Sequence, residues 1–210
     1  MSTLEDVRQA VLVGDEQVMA DLVNGLLKEG TPADRILSEG LLAGMTEVGR
    51  RFREYEYFIP EVLVAAGAMK EAMQVLRPHL TSAGVKPFAT AAIATVKGDL
   101  HDIGKNLVAT MLEGAGFEVV DLGVDVSPEQ LVAACQSRPV DLVALSALLT
   151  TTMPAMVDAV QVLKRELHPA PRIIVGGAPV TQEFADRIGA DGYGRDAATG
   201  AEVARRLCTK

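Results

Sequence analysis

Beyond residue 88 the chain repeats one pattern, a short apolar run followed by a helical segment. The runs are "TAAIATV" (90–96), "FEVVDLG" (117–123), "VDLVALS" (140–146) and "RIIVGG" (172–177), with helical patterns at about 102–115, 127–137 and 153–167 between or after them. Runs this short and this uniformly apolar are strands buried on both faces, and strands that alternate with helices build a parallel sheet. "DVSPEQLVAAC" opens one of the helices, with Ser127 as cap and Pro128 just inside. "DGYG" (191–194) reads as a short fifth strand, followed by a last helix through "DAATGAEVARRL". The second half is therefore expected to be a doubly wound α/β domain of the flavodoxin or Rossmann type, over residues 89–210.

The first half is different. Residues 3–77 read as helices only, at roughly 3–13, 15–29, 32–54 and 60–77. Val62, Ala65, Ala66, Met69, Met73 and Leu76 fall three and four apart, which places one apolar stripe on a helix. "GTPADRIL" gives a start signal, Thr31 as cap and Pro32 at the first helical position. "RPHLTSAGVKP" then breaks the periodicity, so the expected organisation is a four-helix domain at 1–77, a linker at 78–88 and the α/β domain.

Composition excludes several classes. With 49% apolar residues and no biased tract, the 210-residue chain is globular. Its net charge of −8 lacks the basic footprint of nucleic-acid binding. No apolar run approaches the roughly 20 residues of a membrane span, and "MSTLEDVRQAV" does not suit a secretory signal. Cys135 and Cys208 show no metal or redox spacing, so a reducing, cytoplasmic setting is expected.

Ligands of doubly wound folds bind at the carboxyl ends of the strands. "KGDLHDIG" (97–104) lies at such an end, and in it His101 stands between Asp99 and Asp102. His79 and His168, by contrast, each sit beside a proline in an apparent connector. An imidazole that binds a metal through one nitrogen normally gives its other N–H to a carboxylate, and Asp99 is placed for that. No second histidine, cysteine pair or carboxylate cluster completes a zinc site. One donor with a supporting acid suits a metal already held in a macrocycle. On these residues alone, a surface-loop histidine and ordinary glycine turns stay open.

Three elements follow in order: "DLHDIG" at 99–104, "SAL" at 146–148 and "GG" at 176–177, with 41 and 27 residues between them. This constellation resembles the cobalamin-binding signature shared by methionine synthase, several mutases and the corrinoid methyl carriers of methyltransferase systems. "GMTEVGRRFREYEYFIPEVLVAAGAM" (44–69) is similar to the helical cap of the same proteins, and "SALLTTTM" (146–153) is most like the carriers serving methylamine-type methyltransferases. The resemblance implies that His101 is the lower axial ligand of cobalt and that Asp99 accepts its other N–H, with Thr152 closing the relay. It further implies that Ser146, Leu148, Gly104, Gly176 and Gly177 receive the displaced nucleotide tail and that Thr150 faces the lower corrin region, with Gly98, Leu100 and Asp102 flanking the ligand.

The chain has only eight aromatic residues, five Phe and three Tyr, yet Phe52, Tyr55, Tyr57 and Phe58 fall within seven positions. Rings concentrated there suit either helix packing or the cover of a flat ligand. By the resemblance, Phe52 and Ile59 rest above the corrin. The implied cofactor is cobalamin, as methylcobalamin and cob(I)alamin, or a related corrinoid. The implied partners are a substrate-specific methyltransferase, a second methyltransferase with a thiol or tetrahydrofolate acceptor, and a reductive activator. There is no room for a catalytic (β/α)₈ barrel of about 250 residues, so the reading is a carrier subunit with a cap that swings aside near 78–88. A cobalamin-dependent sensor, a mutase subunit and a cofactor-free interaction module are the alternatives.

Overall fold

The computed structural model describes residues 2–209. They divide into two units, residues up to 87 with 114–116, and residues 88–113 with 117 onward.

The first unit is helical. α1 (Leu4–Val13) starts at a capping box, where the Thr3 hydroxyl accepts from the Asp6 N–H and the Asp6 carboxylate accepts from the Thr3 N–H. α2 (Glu16–Lys28) is capped by Asp15. The expected third helix is a continuous run in three pieces: α3 (Ala33–Arg35), a π-helical stretch (Ile36–Leu42) and α4 (Ala43–Arg53). Pro32 is itself the cap residue, in extended conformation, and no side chain caps this helix; Thr31 does not play the part expected of it.

α5 (Ile59–Ser82) runs through Pro78 and so enters the segment expected as linker. The missing N–H of Pro78 frees the Gln74 carbonyl, but both residues are exposed, so water can satisfy it. Leu76 and Leu80 meanwhile continue the buried stripe past the proline. That stripe is Val62, Ala65, Ala68, Met69, Ala72, Leu76 and Leu80; Ala66 and Met73 lie at its margin, only half-buried. Between α4 and α5, the Tyr57 hydroxyl donates to the Leu12 carbonyl (3.0 Å) and accepts from Arg51 (3.0 Å), which also stacks over the ring. Glu47 is held down at about 2 by hydrogen bonds from Arg50 and Arg51. Tyr57 is thus part of the unit's own packing, whereas Tyr55 and Phe58 are exposed.

The second unit is an α/β sandwich. Its elements are β1 (Thr90–Thr95), α6 (Ile103–Gly114), β2 (Glu118–Asp121), α7 (Pro128–Ser137), β3 (Leu142–Ser146), α8 (Met153–Glu166), β4 (Arg172–Gly176), α9 (Gln182–Ile188), β5 (Gly192–Gly194) and α10 (Ala197–Cys208). All pairings are parallel, and the strand order is β2-β1-β3-β4-β5. The core joins β3 and β4 (Val143, Leu145, Ile173, Val175) to α7 and α8 (Leu131, Met156, Val160, Leu163). α7 begins with the expected Ser127 cap, completed by Gln130. α9 was not expected; Thr181 caps it and Gly189 ends it. Among the described residues, no helix is long and apolar enough to cross a membrane.

The order of chain progression reverses between β1 and β3, which leave in opposite directions across the sheet. That switch point is where a doubly wound sheet opens a crevice at its carboxyl edge.

Candidate functional site

The register aligns one row across this edge. Thr95 pairs with Ser146, Ser146 with Gly176, and Gly176 with Gly194. The three signature elements therefore emerge side by side, although 41 and 27 residues separate them in sequence. Among the described residues, the buried polar or charged ones are Thr95, Asp99, Lys105 and Thr152. All four belong to the end of β1, the loop after it, the first turn of α6, or the start of α8. Polar groups are costly to bury unless bonded, so this concentration marks a built site.

After β1 the chain turns at once. The Asp99 N–H donates to the Val96 carbonyl (3.1 Å), with Gly98 at φ +83°, the glycine position of a type II turn. Asp99 is fully buried and its carboxylate is the hub. Oδ1 accepts from the His101 ring at Nδ1 (2.6 Å) and from the His101 N–H (3.1 Å). Oδ2 accepts from the Leu148 N–H (2.7 Å) and the Thr152 hydroxyl (2.7 Å), with a longer approach from the Leu149 N–H (3.4 Å). One side chain thus ties the loop after β1 to the loop after β3 and to the start of α8. Thr152 occupies the cap position of α8 but makes no capping bond; its hydroxyl goes to Asp99 instead.

Burial alone would raise the Asp99 carboxyl. The hydrogen bonds from Thr152, His101 and the Leu148 N–H outweigh it and hold the group well below the usual carboxylate range. An ionised carboxylate only accepts, so the ring proton sits on Nδ1, and the neutral imidazole keeps its lone pair on Nε2. Nε2 has no partner among the described residues, and the side chain is 51% exposed. A depressed folded-state value means that Asp99 adds stability above the unfolded carboxylate pKa of about 3.9 and loses it as pH falls further toward the folded value. Urea unfolding of the cofactor-free chain should therefore weaken on acidification below about pH 4, and by less in Asp99→Asn.

The remaining expected residues are placed as follows. The Asp102 carboxylate is engaged by Asn106 at the start of α6 and not by the ring, so of the two flanking acids only Asp99 serves His101. Ser146 is half-buried, and its hydroxyl, like that of exposed Thr150, has no partner among the described residues. Open space lies around Gly104. At Gly177 a Cβ would lie 1.9 Å from the Ala147 carbonyl oxygen, at φ +125°. The chain's own packing demands that glycine. Leu100, Leu148 and Leu149 on the two loops that Asp99 joins, and Ile103 at the start of α6, are large apolar side chains left exposed. Phe52, on α4, is half-buried, and Ile59, which opens α5, is 43% exposed; both belong to the helical unit.

Three positions escaped the sequence reading. The Thr95 hydroxyl donates to the His101 carbonyl (2.8 Å). Asp125, at φ +54°, accepts from the Gly98 N–H (2.7 Å) and donates its own N–H to the Asp99 carbonyl (3.0 Å). Lys105, 2% exposed, pairs with Asp121 (2.5 Å) and donates to Asn106 (2.6 Å), which fastens the start of α6 to the end of β2. Their signals are faint, a hydroxyl in a strand and two charges beside glycine-rich turns.

No group of three or more His, Cys, Asp or Glu among the described residues could hold a bare metal ion. The donor set is a single oriented imidazole, bordered by apolar side chains and two unpartnered hydroxyls. These residues fit a metal that brings its remaining ligands in a large, largely apolar macrocycle. A parallel five-stranded sheet with such a donor at its switch point is the architecture of a corrinoid-binding domain.

Residues 89–202 match the family described as B12 binding domain, and residues 3–77 match a second family of the same description. The chain belongs to the B12 binding domain family. Dimethylamine corrinoid protein 3 of Methanosarcina acetivorans is 38% identical over 205 residues, 97% of this chain and 96% of that one. A cobalamin-binding protein from Desulfitobacterium hafniense DCB-2 matches with a TM-score of 0.81 and 36% identity, over 98% of both chains. The methanol:cobalamin methyltransferase complex MtaBC from Methanosarcina barkeri matches with a TM-score of 0.83 and 31% identity, over 98% of this chain and 79% of that one.

Proposed function

We propose that the chain is a corrinoid methyl carrier, receiving a methyl group from a substrate-specific methyltransferase and delivering it to a second methyltransferase that acts on a thiol or tetrahydrofolate. The observation that carries this reading is the His101 imidazole, held at Nδ1 by buried Asp99 and open at Nε2, at the switch point of the sheet. Bound cobalamin or a related corrinoid supplies the chemistry, a cobalt centre that takes up and releases methyl groups. His101 Nε2 would be the protein's donor to that metal. Asp99 keeps the proton on Nδ1, and Thr152 and the Leu148 N–H keep Asp99 ionised.

Ser146 offers a free hydroxyl to the cofactor's nucleotide tail and Thr150 offers one to the corrin ring, while Leu148 offers apolar contact and Gly104 leaves room for the tail. Gly98, Leu100, Asp102, Gly176 and Gly177 shape the same edge. In the helical unit, Phe52 and Ile59 are the proposed apolar contacts to the cofactor. The likeness to the MtaBC complex and to a dimethylamine corrinoid protein supports a methyltransferase partner. A reductive activator that restores the reactive cobalt state belongs to the same proposal.

The test is to load the purified chain with cobalamin and supply methylamines, methanol or methoxyaromatics with candidate methyltransferases. Methyl uptake that depends on both substrate and partner is expected. A cobalamin-loaded chain that accepts no methyl group, yet changes oligomeric state on illumination, would point instead to a sensor.

A further inference from the structure

The loop that carries His101 has no regular structure between Val96 and Ile103, yet its imidazole must be presented in one direction. Asp99 explains the ring, because its carboxylate takes Nδ1. It also accepts the His101 N–H, but it leaves the His101 carbonyl, and so the following peptide group, unheld. We infer that Thr95 is the positioning residue that fixes the His101 carbonyl to the sheet and so completes the hold on the main chain that Asp99 begins at the N–H. The inference rests on the reading of His101 as the cobalt ligand.

Thr95 is fully buried and is the last residue of β1. Its N–H donates to the Gly123 carbonyl (3.0 Å), its carbonyl accepts from the Val126 N–H (3.0 Å), and it is in register with Ser146 on β3. It is therefore held from both sides by elements outside the loop. A threonine is a good strand former, but so is valine, which has the same shape and no polar atom to bury. The hydroxyl is thus unnecessary to the strand. It has one proton to give, and it donates that proton across the turn to the His101 carbonyl at 2.8 Å.

With the His101 N–H on Asp99 Oδ1 and its carbonyl on Thr95, both peptide groups around the residue are anchored, and the direction in which its side chain leaves the loop is set. Asp125 steadies the preceding peptides through Gly98 and Asp99. The ring is over-determined in the way a site needs when its ligand must be held to a fraction of an ångström.

The experiment compares the full chain carrying Thr95→Val, Thr95→Ala or Thr95→Ser with the parent, each loaded with cobalamin at neutral pH. The cofactor retained per chain and the imidazole-coordinated fraction of the visible spectrum are both read, with His101→Ala as the uncoordinated reference. The ratio of coordinated to uncoordinated cofactor should fall roughly 3- to 10-fold in Thr95→Val, as loss of one hydrogen bond implies, with cofactor per chain unchanged. Thr95→Ser should restore the parental ratio. Thr95→Ala, which adds no bulk, should repeat the loss and serves if the valine variant does not fold. In the cofactor-free Thr95→Ala chain, the His101 amide should exchange faster while those of Ala92 and Ile93 do not.

A parental ratio in both the valine and alanine variants would overturn the inference. So would an equal loss in the serine variant, which would assign the effect to the methyl group. A parent whose spectrum already matches His101→Ala would overturn the reading of His101 itself, and this inference with it.

Discussion

Replacing His101 with alanine should leave cobalamin bound while abolishing the imidazole-coordinated visible spectrum. Two parts of the site act on different parts of the cofactor. On the proposed reading His101 would offer one nitrogen to the metal, whereas the tail and ring would be met by a longer edge that includes Ser146, Leu148 and Thr150, none of which depends on the imidazole for its position. Ser146 is fixed by the β1–β3 and β3–β4 ladders, and its carbonyl accepts from the Val96 N–H (3.0 Å). Asp99 stays tied to the Leu148 N–H and the Thr152 hydroxyl without the ring. The half-exposed ring lies outside the buried core, so its removal costs the fold mainly the one hydrogen bond it gives Asp99. Added imidazole, small enough to enter the space vacated, should bring back the coordinated spectrum. Loss of cofactor binding altogether would mean that the ligand and the tail contacts are not separable.

Asp99→Asn should impair both the ligand and the fold. The native carboxylate meets donors on both oxygens: His101 Nδ1 and N–H on one side, the Leu148 N–H and the Thr152 hydroxyl on the other. An asparagine has one accepting oxygen and one donating nitrogen, so either orientation sets a donor against a donor. If its amide nitrogen faces His101, Nδ1 becomes the acceptor, the ring proton moves to Nε2, and the lone pair meant for the metal is gone. If its oxygen faces His101, the amide nitrogen faces the part-buried Leu148 N–H and the buried Thr152 side chain, leaving the Leu148 N–H unpaired. Each such loss costs about 1–3 kcal/mol. Asp99→Ala, which strands every donor at once, should cost about 3–5 kcal/mol, of the size seen when one partner of a buried charged network is removed. The expected result for Asp99→Asn is a lower urea midpoint in the cofactor-free chain and a reduced imidazole-coordinated fraction in the loaded one. A stable variant with a parental spectrum would refute the hub role.

Most of the α/β unit was legible because its strands are continuous apolar runs separated by helical periods, and the final short strand follows the same rhythm. α9 was not, for "TQEFADRIG" offers a Thr181 cap and a Gly189 stop but too few turns for a periodic stripe. In the helical unit, Pro78 was read as a break. The structure carries it on the exposed face of α5, where water can reach the carbonyl that loses its partner, and Leu80 is still buried. The displaced stripe on α5 has a related cause, since alanines at 65, 66, 68 and 72 leave several helical faces almost equally apolar.

At the site, Asp99, His101 and Thr152 could be named because their motif is local or tied to another motif. Thr95 and Asp125 could not. Their work is to bond main-chain groups of Gly98, Asp99 and His101, and such contacts leave no periodicity or residue pattern behind. The Gly-Gly element was legible as a motif but not in its cause, because the carbonyl crowding Gly177 belongs to Ala147 on a different strand connection.

The central claim is that the nitrogen beneath cobalt comes from His101. Electron paramagnetic resonance of the loaded chain in the cobalt(II) state, with histidine labelled by nitrogen-15 and the cofactor unlabelled, tests it most directly. Axial coordination by the protein predicts that the nitrogen splitting on the cobalt lines changes from a triplet to a doublet on labelling. A triplet that persists unchanged would place the cofactor's own base on the metal and contradict the account.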